Sequence, residues 1–185
     1  MRAAILLAAG RSQRFGSANK LLASFNGRPL VLHALAAARA APVGRVIVVT
    51  GAQADRIART VRLASPRARI VRARDHREGL AASLRAGLAA LRPIERELFV
   101  FLGDMPAIPH ELALRLAFRL TRDRAAAIRP AWKGVVGHPV LMRRPSRATM
   151  AALRGDKGLR SDHSLLRVLD RDVIRDIDHG RDVHG

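Results

Sequence analysis

The chain has 185 residues, 49% of them hydrophobic, and it contains no cysteine. This length and apolar content predict a single domain, residues 1–185, with a substantial buried core. The lack of cysteine excludes disulfides, thiolate zinc sites and cysteine nucleophiles, and it is compatible with the cytoplasmic location that we expect.

The formal net charge is +19, because 34 Lys and Arg side chains face only 15 Asp and Glu side chains. A basic balance raises the question of nucleic-acid binding. The arginines, however, are spread through every segment, and an aromatic content of 3% leaves few platforms on which bases could stack. No stretch approaches the roughly 18 apolar residues of a membrane helix. We therefore expect neither nucleic acid nor membrane as a partner, and a positive field that attracts acidic small substrates or an acidic protein partner.

Short apolar runs alternate with helical patterns along the whole chain. The apolar runs predict strands at residues 3–7, 46–49, 69–71, 98–102, 125–128, 140–142 and 173–177. Helical spacing predicts helices that begin at Pro29 and that cover residues 53–63, 79–91, 109–120 and 146–153. The first run is at the short limit for a secretory leader, and we interpret it as a core strand. The alternation predicts a three-layer α/β/α sandwich with a mostly parallel, Rossmann-like sheet.

A glycine-rich loop follows the first predicted strand. Gly10 and Gly16 frame Arg11, Ser12 and Arg14 in this loop. Such a loop aims backbone N–H groups at one point and adds fixed positive charge, which suits a polyphosphate. An ordinary strand-to-helix loop in an arginine-rich chain has the same composition, and the pattern is neither a Walker A motif nor GxGxxG. The loop alone leaves both interpretations open.

A carboxylate follows the strongest predicted strand. Asp104 comes directly after residues 98–102, with Gly103 before it and Pro106 in the turn behind it. Ligands of parallel sheets bind beyond the carboxyl ends of the strands, and Mg²⁺ prefers oxygen ligands that it shares with substrate phosphates. An aspartate in a tight turn is the alternative. The pairing of this carboxylate with the glycine-rich loop, at one edge of one sheet, favours nucleotide chemistry.

Residues 7–16 and 19–22 resemble the signature loop of nucleotidyltransferases of the nucleotide-diphospho-sugar transferase type, most closely the molybdenum cofactor cytidylyltransferase branch. Further similar segments lie at residues 79–88, 102–106, 137–141, 155–158 and 176–178, so the resemblance spans nearly the whole chain in order. It implies an enzyme that moves CMP from CTP to the terminal phosphate of molybdopterin with Mg²⁺ and releases pyrophosphate. Positioning and charge neutralisation carry most of the catalysis in such transfers.

The resemblance also implies roles for individual residues. The nucleotide-binding residues would be Leu7, Ala8, Ala9, Gly10, Arg11, Ser12, Gly79, Leu80 and Ser83. The catalytic residues would be Arg14, Lys20 and Asp104, the metal ligands Asp104 and Asp178, and the acceptor-binding residues His138 and Lys157. Each of three residues has an alternative role. His138 would be a structural histidine of a turn, Ser83 a hydroxyl that caps the start of a helix, and Lys157 a surface lysine. Glu78 is expected only to complement a helix dipole, and His76, His110, His163 and His184 are expected on the surface.

Two residues within the similar segments indicate which nucleotide the resemblance implies as the substrate. Guanylyl-transferring relatives usually carry Ala-Gly-Gly in the loop and Cys before the metal aspartate, whereas this chain has Ala9 and Gly103 there, as cytidylyl-transferring relatives do. We therefore expect CTP. The chain departs from the family after Asp178, where residues 179–182 read His-Gly-Arg-Asp instead of Thr-Pro-Glu-Asp, so the second metal position is less well supported.

Two other functions stay open at this point. The same fold and metal site would serve a guanylyl or sugar-phosphate nucleotidyltransferase. A non-catalytic carrier or insertion chaperone would instead deliver finished cofactor to a receiving molybdoenzyme, a protein that we also consider as a partner of the transferase. Arg14, Lys20 and Asp104 occur together in this chain, which favours catalysis over a binding module.

Overall fold

The structure is a computed structural model that describes residues 1–10, 19–155 and 163–177. The strands are β1 (Arg2–Ala8), β2 (Ser24–Phe25), β3 (Arg28–Pro29), β4 (Arg45–Thr50), β5 (Arg69–Arg72), β6 (Glu97–Leu102), β7 (Ala127–Trp132), β8 (Val135–Val136), β9 (Val140–Arg143) and β10 (His163–Arg167). The α-helices are α1 (Leu30–Ala40), α2 (Ala54–Ala64), α3 (Leu80–Ala89), α4 (Leu112–Arg122) and α5 (Arg147–Ala151). Short 3-10 helices cover Lys20–Leu22, His76–Glu78 and Arg171–Ile174.

The main sheet has the strand order β10-β7-β9-β6-β1-β4-β5, with β8 paired to β7 and a separate hairpin of β2 and β3. Strands β5, β4, β1 and β6 are parallel, and β9 lies antiparallel between β6 and β7. At the centre, Ile5 of β1 is in register with Ile47 of β4 and Val100 of β6. The carboxyl ends of β1 and β6 therefore lie side by side at one edge, which is the condition for the predicted site.

The core consists of two layers, one on each face of the sheet. Successive side chains of a strand point to opposite faces, so Leu6 packs in the layer that contains residues of α1, α2 and α4, and Ile5 packs in the layer that contains residues of α3. Helix α3 lies close to the sheet, since a Cβ atom added at Gly87 would come within 2.7 Å of the Ile5 Cγ2 atom. The predicted three-layer α/β/α sandwich with a mostly parallel sheet is confirmed.

The helices are short and flank the sheet. Helices α1, α2 and α4 have 11 residues each, and α3 has 10. Their apolar sides are buried on the sheet, although Leu114 and Phe118 of α4 are 56% and 60% exposed. Across the described residues, no helix combines the length and the apolar character needed to cross a membrane.

A buried ion pair lies at the amino ends of the central strands, opposite the predicted site. Glu95 is 3% exposed, and its carboxylate accepts hydrogen bonds from Arg45 Nη2 at 2.8 Å and from the Arg92 backbone amide at 2.6 Å. Burial raises the pKa of Glu95, but the hydrogen bonds and charges of Arg45 and Arg92 together outweigh this effect, so the pKa is lowered overall. This pair joins the start of β4 to the segment that leads into β6.

The C-terminal part differs from the prediction. The strand predicted at 173–177 is wrong, because this segment begins within the 3-10 helix Arg171–Ile174, which the Asp170 side chain caps by accepting from the Asp172 amide at 2.8 Å. The strand of this region is β10, which pairs in parallel with β7. Strand β10 lies at the edge of the sheet with every second residue exposed, so it has no continuous apolar run to reveal it.

Candidate active site

A cavity of about 470 Å³ opens at the carboxyl ends of β1 and β6. Of the residues predicted to bind nucleotide, this cavity is lined by Leu7, Ala9, Gly10, Gly79, Leu80 and Ser83. Lys20 and Asp104, predicted to be catalytic, line it too. Ala8 does not, because its side chain is fully buried in the core layer that contains α1. The structure thus brings the loop after β1, the turn after β6 and the start of α3 around one space.

Five predicted site residues lie outside the described residues. They are Arg11, Ser12, Arg14, Lys157 and Asp178. The chain on either side of the glycine-rich loop is nevertheless described. Gly10 before the loop and Lys20 after it both line the cavity.

The turn after β6 lies directly against the end of β1. The Gly103 amide donates to the Leu7 carbonyl at 2.9 Å, and a Cβ atom added at Gly103 would come within 3.1 Å of that same oxygen. A larger residue would push the turn away from β1. The small residue at this position therefore sets Asp104 beside the loop that follows β1.

Lys20 and Asp104 form an ion pair in the cavity wall. Lys20 Nζ lies 2.7 Å from Asp104 Oδ2, and the two side chains are 12% and 24% exposed. Lys20 begins a 3-10 helix that Asn19 caps, since the buried Asn19 Oδ1 accepts from the Leu21 amide at 3.0 Å. The cap fixes the backbone of Lys20. A cation and a carboxylate are thereby held together where phosphates and a metal ion would meet.

The donor set around Asp104 fits Mg²⁺ bound together with a substrate. Among the described residues, no group of three or more His, Asp or Glu side chains could hold a metal ion by itself. Mg²⁺ usually binds through one or two carboxylates plus phosphate oxygens and waters, so the Asp104 carboxylate suits it. The segment that leads to Asp178 is also nearby, because the Ile177 amide donates to the Asp104 carbonyl at 2.9 Å.

The start of α3 forms the opposite wall of the cavity. Gly79 has φ 100° and ψ −167°, a conformation that is essentially restricted to glycine, and it joins the 3-10 helix to α3. Ser83 is 5% exposed and belongs to the first turn of α3, whose positive dipole end faces this region. Glu78 precedes the helix as expected and pairs with Arg85 at 2.7 Å, but it also lines the cavity.

The expectation that His76 lies on the surface is wrong. His76 is half-buried, it lines the cavity, and its Nδ1 atom lies 3.1 Å from the Ala73 carbonyl. Its ring packs against Gly51, where an added Cβ would come within 2.7 Å of it. The only sequence signal was its place just before the α3 segment. His110 and His163 are exposed as predicted, and His184 lies outside the described residues.

His138 lies on the other side of Asp104, beyond the cavity wall. Its amide donates to the Val173 carbonyl at 2.8 Å, and its Nδ1 atom lies 3.4 Å from the Val100 carbonyl. Burial lowers the pKa of His138 to about 4, so the ring is neutral at neutral pH. The charge of Arg129 lowers this pKa further and the charge of Asp104 raises it, which places His138 within electrostatic reach of both. Sequence reasoning did not single out Arg129.

Comparisons with known proteins show the family to which the chain belongs. The sequence profile of the MobA-like NTP transferase domain matches residues 4–173. The chain is 32% identical over 124 residues to the bifunctional protein GlmU of Rhizorhabdus wittichii, which is 66% of this chain and 27% of that protein. It thus spans about a quarter of the length of that relative. It is 28% identical over 180 residues to the molybdenum cofactor cytidylyltransferase of Escherichia coli, which is 94% of this chain and 89% of that protein.

Solved structures share the fold over the whole chain. Rv0371c from Mycobacterium tuberculosis matches with a TM-score of 0.81 and 28% identity, covering 99% of this chain and 95% of that one. A manganese complex of Rv0371c matches with a TM-score of 0.75 and 25% identity, covering 90% and 88% of the two chains. The chain therefore belongs to the MobA-like NTP transferase family of nucleotidyltransferases.

Proposed function

We propose that the chain transfers CMP from CTP to the terminal phosphate of molybdopterin and releases pyrophosphate. The observation that carries this proposal is the 2.7 Å pair of Lys20 and Asp104 in the wall of the cavity. Transfer between two phosphates needs a cation against the phosphate charge and a carboxylate for a metal ion. Molybdopterin as acceptor is supported by the 28% identity to the E. coli molybdenum cofactor cytidylyltransferase over 94% of this chain.

The cavity would hold the nucleotide. The triphosphate would lie on the backbone that leaves β1 at Ala9 and Gly10, with Lys20 and Arg14 against its charge. Gly10 suits this position, because a Cβ added there would meet no described atom within 4 Å and so glycine keeps the approach to the backbone open. Ala9 lines the cavity, and its methyl group, which a glycine would lack, would favour the smaller pyrimidine base.

Asp104 would hold the metal ion, with Asp178 as a second ligand. Magnesium, when bound there, would neutralise phosphate oxygens of both reactants and bring them together. Lys20, which neutralises Asp104 in the structure, would then contact the triphosphate and neutralise charge on the leaving pyrophosphate. The ion pair would separate when the substrates bind, so that each of the two charges exchanges its present partner for a ligand of opposite charge.

The acceptor would approach from the side of His138. An oxygen of its terminal phosphate forms a bond with the α-phosphorus of CTP while the bond from that phosphorus to the pyrophosphate oxygen breaks. The acceptor phosphate is already an anion, so the protein does not have to remove a proton from it. The neutral His138 ring would orient the acceptor by hydrogen bonding, and Lys157 would contact its phosphate.

A product assay tests this proposal. The protein is incubated with Mg²⁺, α-labelled CTP and molybdopterin, and the products are separated by chromatography. Labelled CMP–molybdopterin with release of pyrophosphate is the expected result, and Asp104→Asn should abolish it. Asp55→Asn, which changes an exposed aspartate of α2, is the matched control.

The same assay distinguishes the other functions. Product with GTP but not with CTP would identify a guanylyltransferase, and product with a sugar phosphate but not with molybdopterin would identify a different acceptor. Molybdopterin cytosine dinucleotide that binds without any turnover would identify a carrier. Each of these results would overturn the proposal for this chain.

A further inference from the structure

Arg129 in β7 is an arginine that the fold holds in place but does not pair. Its Nε atom is buried and has no hydrogen-bond partner, and the described part of the chain gives its guanidinium no hydrogen bond or ion pair. Burial lowers the pKa of Arg129, which shows that its charge has lost part of its hydration. A partly desolvated cation without a partner destabilises a fold, so its presence calls for an explanation.

Several other charges among the described residues that are partly withdrawn from water have partners. Glu95 is bound by Arg45, and Lys20 is bound by Asp104 at 2.7 Å. Arg2 pairs with Glu97 at 2.7 Å at the start of the central strands. Arg129 has no such partner among the described residues, and a guanidinium with free donors in a rigid strand is suited to bind a planar or tetrahedral anion through two of them.

The position of Arg129 shows which anion it would meet. Strand β7 is separated from β6 by β9, on the side of β6 opposite β1, and the charges of Arg129 and Asp104 both act on the pKa of His138, which lies just before β9. Arg129 does not line the cavity in which Lys20 and Asp104 lie. Because β7 and β1 lie on opposite sides of β6, Arg129 is on the His138 side of Asp104, from which the acceptor would approach.

The transfer reaction would use a positive charge at the place where Arg129 lies. Two anions, a triphosphate and an acceptor phosphate, must come into contact, and their repulsion has to be offset on both sides. Lys20 lies where it would neutralise the triphosphate. We propose that Arg129 binds the phosphate monoester of the acceptor, and that it makes this site selective for phosphorylated acceptors. This inference rests on the proposed function, because it assumes that the cavity is the nucleotide side.

Phosphate binding by the whole protein tests the inference without an acceptor. A non-hydrolysable CTP analogue and Mg²⁺ first fill the cavity, and inorganic phosphate is then titrated and followed by ³¹P NMR. Arg129→Met should weaken phosphate binding by about tenfold or more, and Arg129→Lys, which keeps the charge but not the two-donor geometry, by less. Affinity for the analogue should stay within about twofold in both variants. Arg115→Met on the exposed side of α4 removes the same charge and should change neither affinity.

Thermal unfolding separates binding from a structural role. Because Arg129 is unpaired, Arg129→Met should keep or raise the midpoint of unfolding, by up to about 4 °C. A lowered midpoint with unchanged phosphate affinity would overturn the inference in favour of a packing role. Equal phosphate affinity in the wild type and Arg129→Met, or no phosphate binding by the wild type at millimolar concentration, would overturn it too.

The nucleotide titration distinguishes the two proposals. A loss of analogue affinity in Arg129→Met would place Arg129 on the nucleotide side and overturn the inference alone. If the wild type binds no analogue, the proposed function fails, and phosphate is then titrated without nucleotide. A difference between wild type and Arg129→Met in that titration would still support an anion site at Arg129, and no difference would overturn both proposals.

Discussion

The ion pairs at the two ends of the central strands, which we call the amino edge and the carboxyl edge, lie in different surroundings. At the amino edge, the Glu95 carboxylate is 3% exposed and is bound by the Arg45 guanidinium and the Arg92 amide. At the carboxyl edge, the Lys20–Asp104 pair borders a cavity of about 470 Å³. Arg129, two strands away from β6, has no partner among the described residues. The Glu95 pair is closed off from water, whereas the Lys20–Asp104 pair borders a space with room for a ligand, and we propose from this difference that the carboxyl edge is the functional one.

The largest effect is expected at Asp104. Asp104→Asn keeps the shape of the side chain but removes the charge that would hold a metal ion, so cytidylyl transfer should fall by about 10³-fold in kcat/KM. Steady-state turnover of labelled CTP measures this, with Asp55→Asn as the control of equal charge change. A loss of less than about threefold would contradict the role of the carboxyl edge.

A substitution in the Glu95 pair at the amino edge should change the stability of the protein and leave its activity unchanged. Glu95→Gln leaves the Arg45 guanidinium without its counter-charge, which should lower the free energy of unfolding by about 3 kcal/mol. Urea unfolding measures this, and Glu111→Gln, at an exposed position before α4, is the matched control. An unchanged midpoint would show that the buried pair contributes nothing. A loss of kcat/KM in folded Glu95→Gln would remove the contrast between the edges.

The nucleotide preference should change at Ala9. Ala9→Gly removes a methyl group from the cavity wall, so the ratio of GTP to CTP affinity should rise by about tenfold. Competition between the two nucleotides for the cavity measures the ratio. A lower affinity for both nucleotides, with the same ratio, would show that Ala9 supports the backbone and does not select the base.

The smallest effect is the pH dependence of the Glu95 pair. The pKa of Glu95 is lowered from an ordinary value of 4.5. The stabilisation of the fold by the charged carboxylate is therefore fully present above about pH 4.5, and it is lost as the pH falls through the lowered pKa of the folded state. The difference in unfolding free energy between wild type and Glu95→Gln should therefore shrink below about pH 4.5. Urea unfolding from pH 7 to acid pH measures it. A difference that grows toward acid pH would mean that the pKa is raised instead.

The central strands could be predicted from the sequence because their physical signal is local. Strands β1, β4 and β6 are buried on both faces, so each is a continuous apolar run, and the motifs at their carboxyl ends follow from the parallel arrangement. The exposed edge strand β10 has no such run and was missed. The strand predicted at residues 173–177 failed because Val173 and Ile174 lie in a 3-10 helix with Val173 buried, and Ile177 is buried beyond its end.

The missed site residues depend on tertiary contacts. His76 lines the cavity only because Gly51 leaves room for its ring. Arg129 is one of 34 basic residues, and no pattern in the sequence shows that its Nε atom is buried without a hydrogen-bond partner. Burial and pairing of a single side chain are set by strands far apart in sequence, so such residues become visible only in the folded protein.

Calorimetric titration of CTP, GTP, UTP and ATP, each with and without Mg²⁺, is the decisive test of the proposed nucleotide site. The proposed site predicts that CTP binds most tightly, that binding depends on Mg²⁺, and that Asp104→Asn loses this dependence. Tighter binding of GTP, or Mg²⁺-dependent CTP binding that survives in Asp104→Asn, would contradict the account.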